Sequence, residues 1–257
     1  MRAYLIWPLF LAALFMIAAM PLTVHSGYVI AGLNTTVRLY TNTSATVAEV
    51  INISISNQSV SQYSTNRAAL NLTLSGWQAI VGPTLVEHII NPSSSNYNFH
   101  FIPGPLEKGP FGYFAHLIFT YNVNNVTIMT RTGPRTISYN FNSGVLNFEH
   151  GASGQILPGN TTLTILLPTG AQIKSVYPVP DYPIAGVTDG YKNVTTLQWF
   201  SGEPLSKFTL QFVMIEPLSQ EVSDFFTQLY GALGVWTYII IALVIILFVL
   251  YTYLRTK

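Results

Sequence analysis

The sequence predicts a mainly β protein: one or two antiparallel β-sandwich domains followed by a C-terminal transmembrane helix. Three observations carry that expectation. Apolar and polar residues alternate over many short runs, as in Val50-Ile51-Asn52-Ile53-Ser54-Ile55, where Ile51, Ile53 and Ile55 share one face. β-Branched and aromatic residues fill these runs, and Gly, Pro, Asn and Ser fill the gaps. The stretch 235–254 contains no charged residue.

The elements follow in chain order. After Arg2, the run Leu5 to Ala19 is apolar apart from Pro8, and Thr23-Val24-His25-Ser26-Gly27 follows. A basic residue, a short apolar run and small residues at a cleavage position describe a secretory signal over 1–26. An uncleaved N-terminal anchor is the alternative, although a span needs roughly 20 apolar residues. The first β-sandwich region, 27–106, carries strand signals at 36–40, 46–55, 69–74, 85–90 and 98–102. The second, 111–216, carries them at 114–122, 126–130, 136–141, 145–148, 162–167, 172–176, 194–199 and 208–215. Between them lies Pro103-Gly104-Pro105-Leu106-Glu107-Lys108-Gly109-Pro110, whose prolines and glycines are expected to interrupt a ladder. It reads either as a linker between two sandwiches or as a long loop within one larger sandwich. Tyr177-Pro178-Val179-Pro180-Asp181-Tyr182-Pro183 reads as an extended surface loop.

Val222, Phe225, Phe226 and Leu229 have helical spacing, which predicts a juxtamembrane helix over 217–234 running straight into the span. Residues 235–254 at ~1.5 Å rise per residue cover about 30 Å, the thickness of a bilayer core. Trp236 and Tyr238 mark one end and Tyr251 and Tyr253 the other, where amphipathic rings prefer the interface. Arg255 and Lys257 follow the span, whereas Glu216, Glu221 and Asp224 precede it. The positive-inside bias then places the tail 255–257 in the cytoplasm and the β region outside, a single-pass type I arrangement at the cell membrane. A three-residue tail leaves no room for a cytoplasmic domain.

Composition narrows the function classes. Hydrophobic residues make up 49% and charged residues 8%, against roughly a quarter charged in ordinary soluble domains. That excludes a typical cytosolic enzyme, a coiled coil and a charge-rich disordered chain. The net charge of +1 provides no field to hold a nucleic acid. With Cys at 0 there are no disulfides, thiolate metal sites or cysteine nucleophiles.

The strongest local motif is the N-glycosylation sequon, at Asn34, Asn42, Asn52, Asn57, Asn71, Asn125, Asn160 and Asn193. All eight precede the span, on the expected outer side, so N-linked glycans are expected partners. Asn52 and Asn71 fall within expected strands and are the least suited acceptors. A surface built from hydroxyls and amides does not titrate, which suits an acidic or otherwise harsh exterior.

The sequence offers little catalytic chemistry. His25, His88, His100, His116 and His150 form no ligand-spaced motif; a surface metal site would need His88 and His100 to meet across strands, with Glu149-His150 adding a ligand. Gly151-Ala152-Ser153-Gly154 lacks the spacing of a nucleophile elbow. No carboxylates pair closely in sequence for glycoside hydrolysis. The expectation is therefore no catalytic residue, no cofactor and no metal. The aromatic clusters Phe111-Gly112-Tyr113-Phe114 and Tyr97-Asn98-Phe99-His100-Phe101 read as sandwich core, or, if exposed, as a sugar- or protein-binding patch.

Asn160-Thr161-Thr162-Leu163-Thr164-Ile165-Leu166-Leu167-Pro168-Thr169-Gly170-Ala171 is followed by Ser175-Val176-Tyr177-Pro178, Leu197-Gln198-Trp199 and Glu216-Pro217-Leu218. With the sequons, absent cysteine and C-terminal anchor, the chain resembles secreted single-pass surface glycoproteins of archaea, especially crenarchaea, which carry β-sandwich ectodomains. It departs from the anchoring subunits of archaeal surface layers, since no long coiled-coil stalk precedes the span. The resemblance implies a non-enzymatic module binding an envelope protein or glycan. Two alternatives stand beside it: an accessory single-pass subunit of a translocation, glycosylation or respiratory complex, and a viral envelope glycoprotein.

Overall fold

A computed structural model of the chain describes residues 27–70, 73–110, 112–151, 154–183, 191, 194–234 and 236–255. The expected signal segment 1–26 and the acceptors Asn71 and Asn193 lie outside the described residues. The chain opens with β1 (Tyr28–Leu39), β2 (Ala45–Ile55) and the helices α1 (Val60–Ala68) and α2 (Leu74–Val81). Strands β3 (Tyr97–Pro103), β4 (Glu107–Gly109), β5 (Gly112–Val123), β6 (Thr127–Arg131) and β7 (Thr136–Phe141) follow. A short hairpin, β8 (His150–Gly151) and β9 (Gly154–Gln155), precedes β10 (Thr161–Leu166), β11 (Gln172–Tyr177), β12 (Thr196–Trp199) and β13 (Thr209–Ile215). Helices α3 (Leu218–Leu233) and α4 (Trp236–Arg255) end the chain.

Two main sheets form. One has the order β12-β10-β1-β2-β5-β3, with β4 on β5; the other has the order β11-β13-β7-β6. Pairing is mostly antiparallel, but β1 and β10 run parallel, from Leu33 opposite Thr161 to Arg38 opposite Leu166. Short strands without long amphipathic helices between them point to antiparallel pairing throughout; the parallel pair forms because the more than a hundred residues between β1 and β10 supply the crossover without one dedicated helix.

The chain forms two compact units, and β1, β2, β3 and β5 contribute residues to both. The larger comprises Gly32–Ile51, Glu87–Ile102 and Leu117–Lys257. Its two sheets pack as a sandwich whose inner faces bury Val37, Val47, Ile51, Leu117, Phe119, Leu163, Ile165 and Leu197 from one side and Tyr139, Leu210 and Phe212 from the other. Trp199 of β12 meets Phe208, which leads into β13, edge-on at 5.1 Å, and Tyr139 stacks on Phe212 at 5.0 Å. The Trp199 indole N–H donates to the Pro178 carbonyl at 2.9 Å, so its one polar atom is satisfied in the core. Phe101 is buried and packs on Phe119 at 5.0 Å and Phe99 is half-buried, whereas Tyr97 and His100 of the 97–101 cluster are exposed.

The smaller unit comprises the described residues of Met1–Ala31 with Asn52–Val86 and Pro103–His116. Here the structure departs from the expected strands. Residues 60–68 and 74–81 are helical, including part of the expected 69–74 strand. Thr73 caps α2 by accepting the Gly76 N–H at 3.3 Å, and Trp77 and Val81, one turn apart, are buried. Tyr63 of α1 packs edge-on against Trp77 at 5.2 Å. The Tyr63 hydroxyl donates to the Gly104 carbonyl at 2.7 Å, the Gly104 N–H donates to the His116 carbonyl at 2.7 Å, and Arg67 Nε donates to the Pro103 carbonyl at 3.2 Å.

These bonds show how the 103–110 segment is held. It contains β4, whose Glu107, Lys108 and Gly109 pair with Phe114, Tyr113 and Gly112 of β5. A ladder therefore runs through residues expected to interrupt one, because Pro103 ends β3 and the prolines at 105 and 110 lie outside the paired residues 107–109. The expected strand at 85–90 is reduced to one bridge, Ile89 to Leu146.

Candidate functional site

The most exposed apolar feature is α4. It is 20 residues long with a mean hydropathy of 2.5, almost none of it buried against the protein. Leu243, Val244, Ile245, Ile246 and Leu247 are each more than half exposed. Soluble proteins rarely leave so large a contiguous apolar surface in water, and the helix is long and apolar enough to cross a membrane. The expected straight run from α3 into α4 is broken at Gly234, whose φ of 57° lies in the left-handed region that favours glycine.

The sequon asparagines sit in distinct settings. Asn34 on β1 is exposed, as is Asn160, whose carbonyl accepts the Leu33 N–H at 3.0 Å. Asn42 lies in the β1–β2 turn, its Oδ1 accepting from the Ser44 backbone N–H at 3.2 Å and hydroxyl at 2.7 Å. Asn125, with a φ of 54°, is exposed in the β5–β6 turn. Asn57 is exposed in the 3-10 turn Asn57–Ser59 that follows β2. Asn52 differs: it is half-buried on β2, and its side-chain oxygen lies 2.6 Å from His116 Nδ1.

Asn57 also lines an open cleft of about 880 Å³ in the smaller unit, a volume within the range of small-molecule sites. Ser54, Ser56, Gln58, Lys108 and Tyr113 share its wall, and Lys108 is the charged side chain among them. The wall thus combines hydroxyls, amides, one aromatic ring and a single cation. Phe111 of the second aromatic cluster lies outside the described residues, while Tyr113 and Phe114 are half-buried.

In the larger unit the structure assembles a polar cluster that sequence reading did not. Glu49 of β2 is 0% exposed. A buried carboxylate is costly unless donors surround it, and here three do. The His88 backbone N–H donates to Oε1 at 2.8 Å, His88 Nδ1 lies 2.7 Å from Oε2, and the Tyr121 hydroxyl of β5 donates to Oε1. The Tyr121 oxygen in turn accepts the Ile89 N–H at 3.2 Å. Burial first, and the Glu49 charge second, hold the Tyr121 hydroxyl well above its ordinary pKa. Burial likewise raises the Glu87 carboxyl, opposed by a hydrogen bond from Asn96 and reinforced by Glu49. Alternation on β2 places Glu49 on the same inward face as Ile51 and Ile53, so the signal was present in the sequence; its partners were not identifiable there.

The cluster resembles a carboxylate–histidine dyad, but its described bonds lead into the backbone of 88–89 rather than to a nucleophile. The His88 ring packs on Phe148 at 5.3 Å, and no serine or threonine hydroxyl is bonded to it among the described residues. His100 and His150 are exposed, and the described residues include no group of three or more His, Asp or Glu side chains able to hold a metal ion. What the arrangement does is hold the 87–91 segment against β2 and β5.

No protein-family model and no curated protein matches the chain. Among solved structures it is similar to the folded domain of the LppM protein of Mycobacterium tuberculosis, solved by NMR, at 7% identity and a TM-score of 0.27 over 72% of this chain and 88% of that one. A likeness of that size bears on neither fold nor function.

Proposed function

We propose that this chain is a non-enzymatic cell-surface glycoprotein, a type I single-pass protein whose β-sandwich faces outward and binds an envelope protein or a glycan. The observation that carries the reading is α4, an exposed apolar helix of spanning length directly behind a β-sandwich. Exposed Asn34, Asn42, Asn57, Asn125 and Asn160, all on one side of that helix in sequence, support glycosylation of the sandwich. The cleft beside Asn57 and Lys108 offers a polar wall for a sugar or a partner loop.

Protease treatment of intact cells, combined with glycan-site mapping by mass spectrometry, tests the proposal. The expected result is cleavage of the sandwich from outside and occupancy at the exposed asparagines, with Asn52 bare because its amide is half-buried and bonded to His116. A protease-resistant sandwich carrying no glycan would overturn it. Stoichiometric co-purification of multi-span proteins would favour the accessory-subunit alternative.

A further inference from the structure

The strongest unassigned surface is one face of α3. Val222, Phe225, Phe226, Tyr230 and Leu233 are all exposed, and with half-buried Leu229 they recur at three- and four-residue spacing along one stripe. Phe225 and Phe226 contact each other edge-on at 5.6 Å, while Thr227 and Gln228 lie off the stripe.

The bend at Gly234 decides what covers this stripe. In a continuous helix, residues eight apart are separated by about 12 Å along the axis. Here the Tyr230 and Tyr238 rings lie 5.7 Å apart, and the Thr237 hydroxyl donates to the Leu229 carbonyl at 3.1 Å. Both contacts require the chain to fold back at Gly234, so α3 leaves the axis of α4 instead of extending it. Trp236 and Tyr238, exposed at the start of α4, are residues that settle at headgroup depth in a spanning helix. Tyr230 touches Tyr238, so the last turn of α3 sits at that same depth. A 16-residue helix, about 24 Å long, that starts at headgroup depth and turns off the membrane normal runs along the bilayer surface.

We infer that α3 is an interfacial helix, its Phe225/Phe226/Tyr230 stripe embedded at the headgroup–acyl boundary of the bilayer that α4 crosses. The inference rests on the reading of α4 as a span. Its occupant is lipid, because the stripe is continuous with the lipid-facing surface of α4 through the Tyr230–Tyr238 contact. The α3 sequence contains no lysine or arginine, so insertion depends on apolar burial and not on anionic headgroups. The helix holds the sandwich close to the membrane rather than on a stalk.

The absence of cysteine makes the test clean. Single-cysteine variants of the full chain, Phe225→Cys, Phe226→Cys, Thr227→Cys, Gln228→Cys and Leu229→Cys, with Ile245→Cys as control, are spin-labelled and reconstituted in phosphatidylcholine vesicles. Collision with oxygen is compared with collision with a water-soluble nickel chelate. The expected result is a helical period: nickel accessibility several-fold lower at 225, 226 and 229 than at 227 and 228, unchanged when phosphatidylglycerol is added. Equal accessibility along α3 with Ile245→Cys shielded would overturn this inference alone, as would spin–spin broadening at 225 or 226, which reports a second copy on the stripe. An immersed profile seen only with phosphatidylglycerol would overturn its apolar basis. Nickel access at Ile245→Cys would overturn the span itself, and the inference with it.

Discussion

Replacing Glu49 with alanine removes the acceptor shared by three buried donors: the His88 N–H, the His88 ring and the Tyr121 hydroxyl. Each donor left without a partner costs about 1–3 kcal/mol. The three are neighbours, so the losses do not simply add. With that overlap the expected loss is about 3–5 kcal/mol. Against a typical stability of roughly 5–15 kcal/mol this is large. At about 2–4 °C per kcal/mol for a domain of this size, the melting temperature falls by about 6–20 °C. The assay is thermal unfolding of the full chain in detergent by near-ultraviolet circular dichroism, combined with amide hydrogen exchange. Exchange at His88 and Ile89 should accelerate first, because their N–H groups bond to Glu49 and to the Tyr121 oxygen. Tyr121→Phe alone should cost less, and a double-mutant cycle should show coupling between the two positions. A Glu49→Ala protein that melts within a degree or two of the parent, with His88 and Ile89 still protected, would refute the cluster as a structural clamp.

Two further outcomes follow from the smaller unit. A β-carbon on Gly104 would lie 2.6 Å from the His116 carbonyl oxygen, a backbone atom with little freedom to move, whereas one on Gly159 would meet nothing within 4 Å. Gly104→Ala should therefore lower the denaturant midpoint by an amount corresponding to about 1–3 kcal/mol, with Gly159→Ala as the neutral control; equal midpoints would count against the packing described at 104. Burial pushes the Tyr63 hydroxyl up to about 12 from 10.0, partly offset by Arg67. A group whose pKa is raised on folding contributes stability that is intact below its unfolded value and lost as pH rises through the folded one. Stability should thus fall between pH 10 and 12, by about 2–3 kcal/mol from this residue. Tyr63→Phe, less stable at neutral pH for want of the bond to Gly104, should show a shallower alkaline decline in urea titrations; an unchanged slope would exclude Tyr63 as its source.

On the acid side one carboxyl follows the same sign. Glu87 is raised by burial, so its contribution is complete below about pH 4.5 and is lost as pH rises through the folded value. That direction agrees with the tolerance of acid expected from a surface poor in charge. Unfolding free energies from pH 3 to 7 should lose a rising-pH penalty in Glu87→Gln, and identical profiles for the two proteins would show that this carboxyl is not linked to folding.

Local periodicity determined much of this protein. The alternation of β2, β5 and β13, the unbroken apolar run of α4 and the spacing of the α3 stripe are each written within a single segment. Long-range packing decided the rest. Leu70 to Leu74 alternates well enough for a strand, yet the Thr73 cap and burial of Trp77 make the chain from 74 onward helical. Pairing of β1 with β10 joins residues more than a hundred positions apart, and no short-range pattern records its parallel sense. Glu49 shows the division most clearly. Its inward phase was legible in the Ile51 and Ile53 register, but its donors come from 39 and 72 residues away. Likewise Gly234 is visible in the sequence only as a small residue before the apolar run, and its backbone turn directs α3 off the axis of α4. A segment's own sequence sets which face is apolar, since that is a local free energy of transfer; which partner the face meets depends on what the whole chain can bring together without leaving polar groups unpaired.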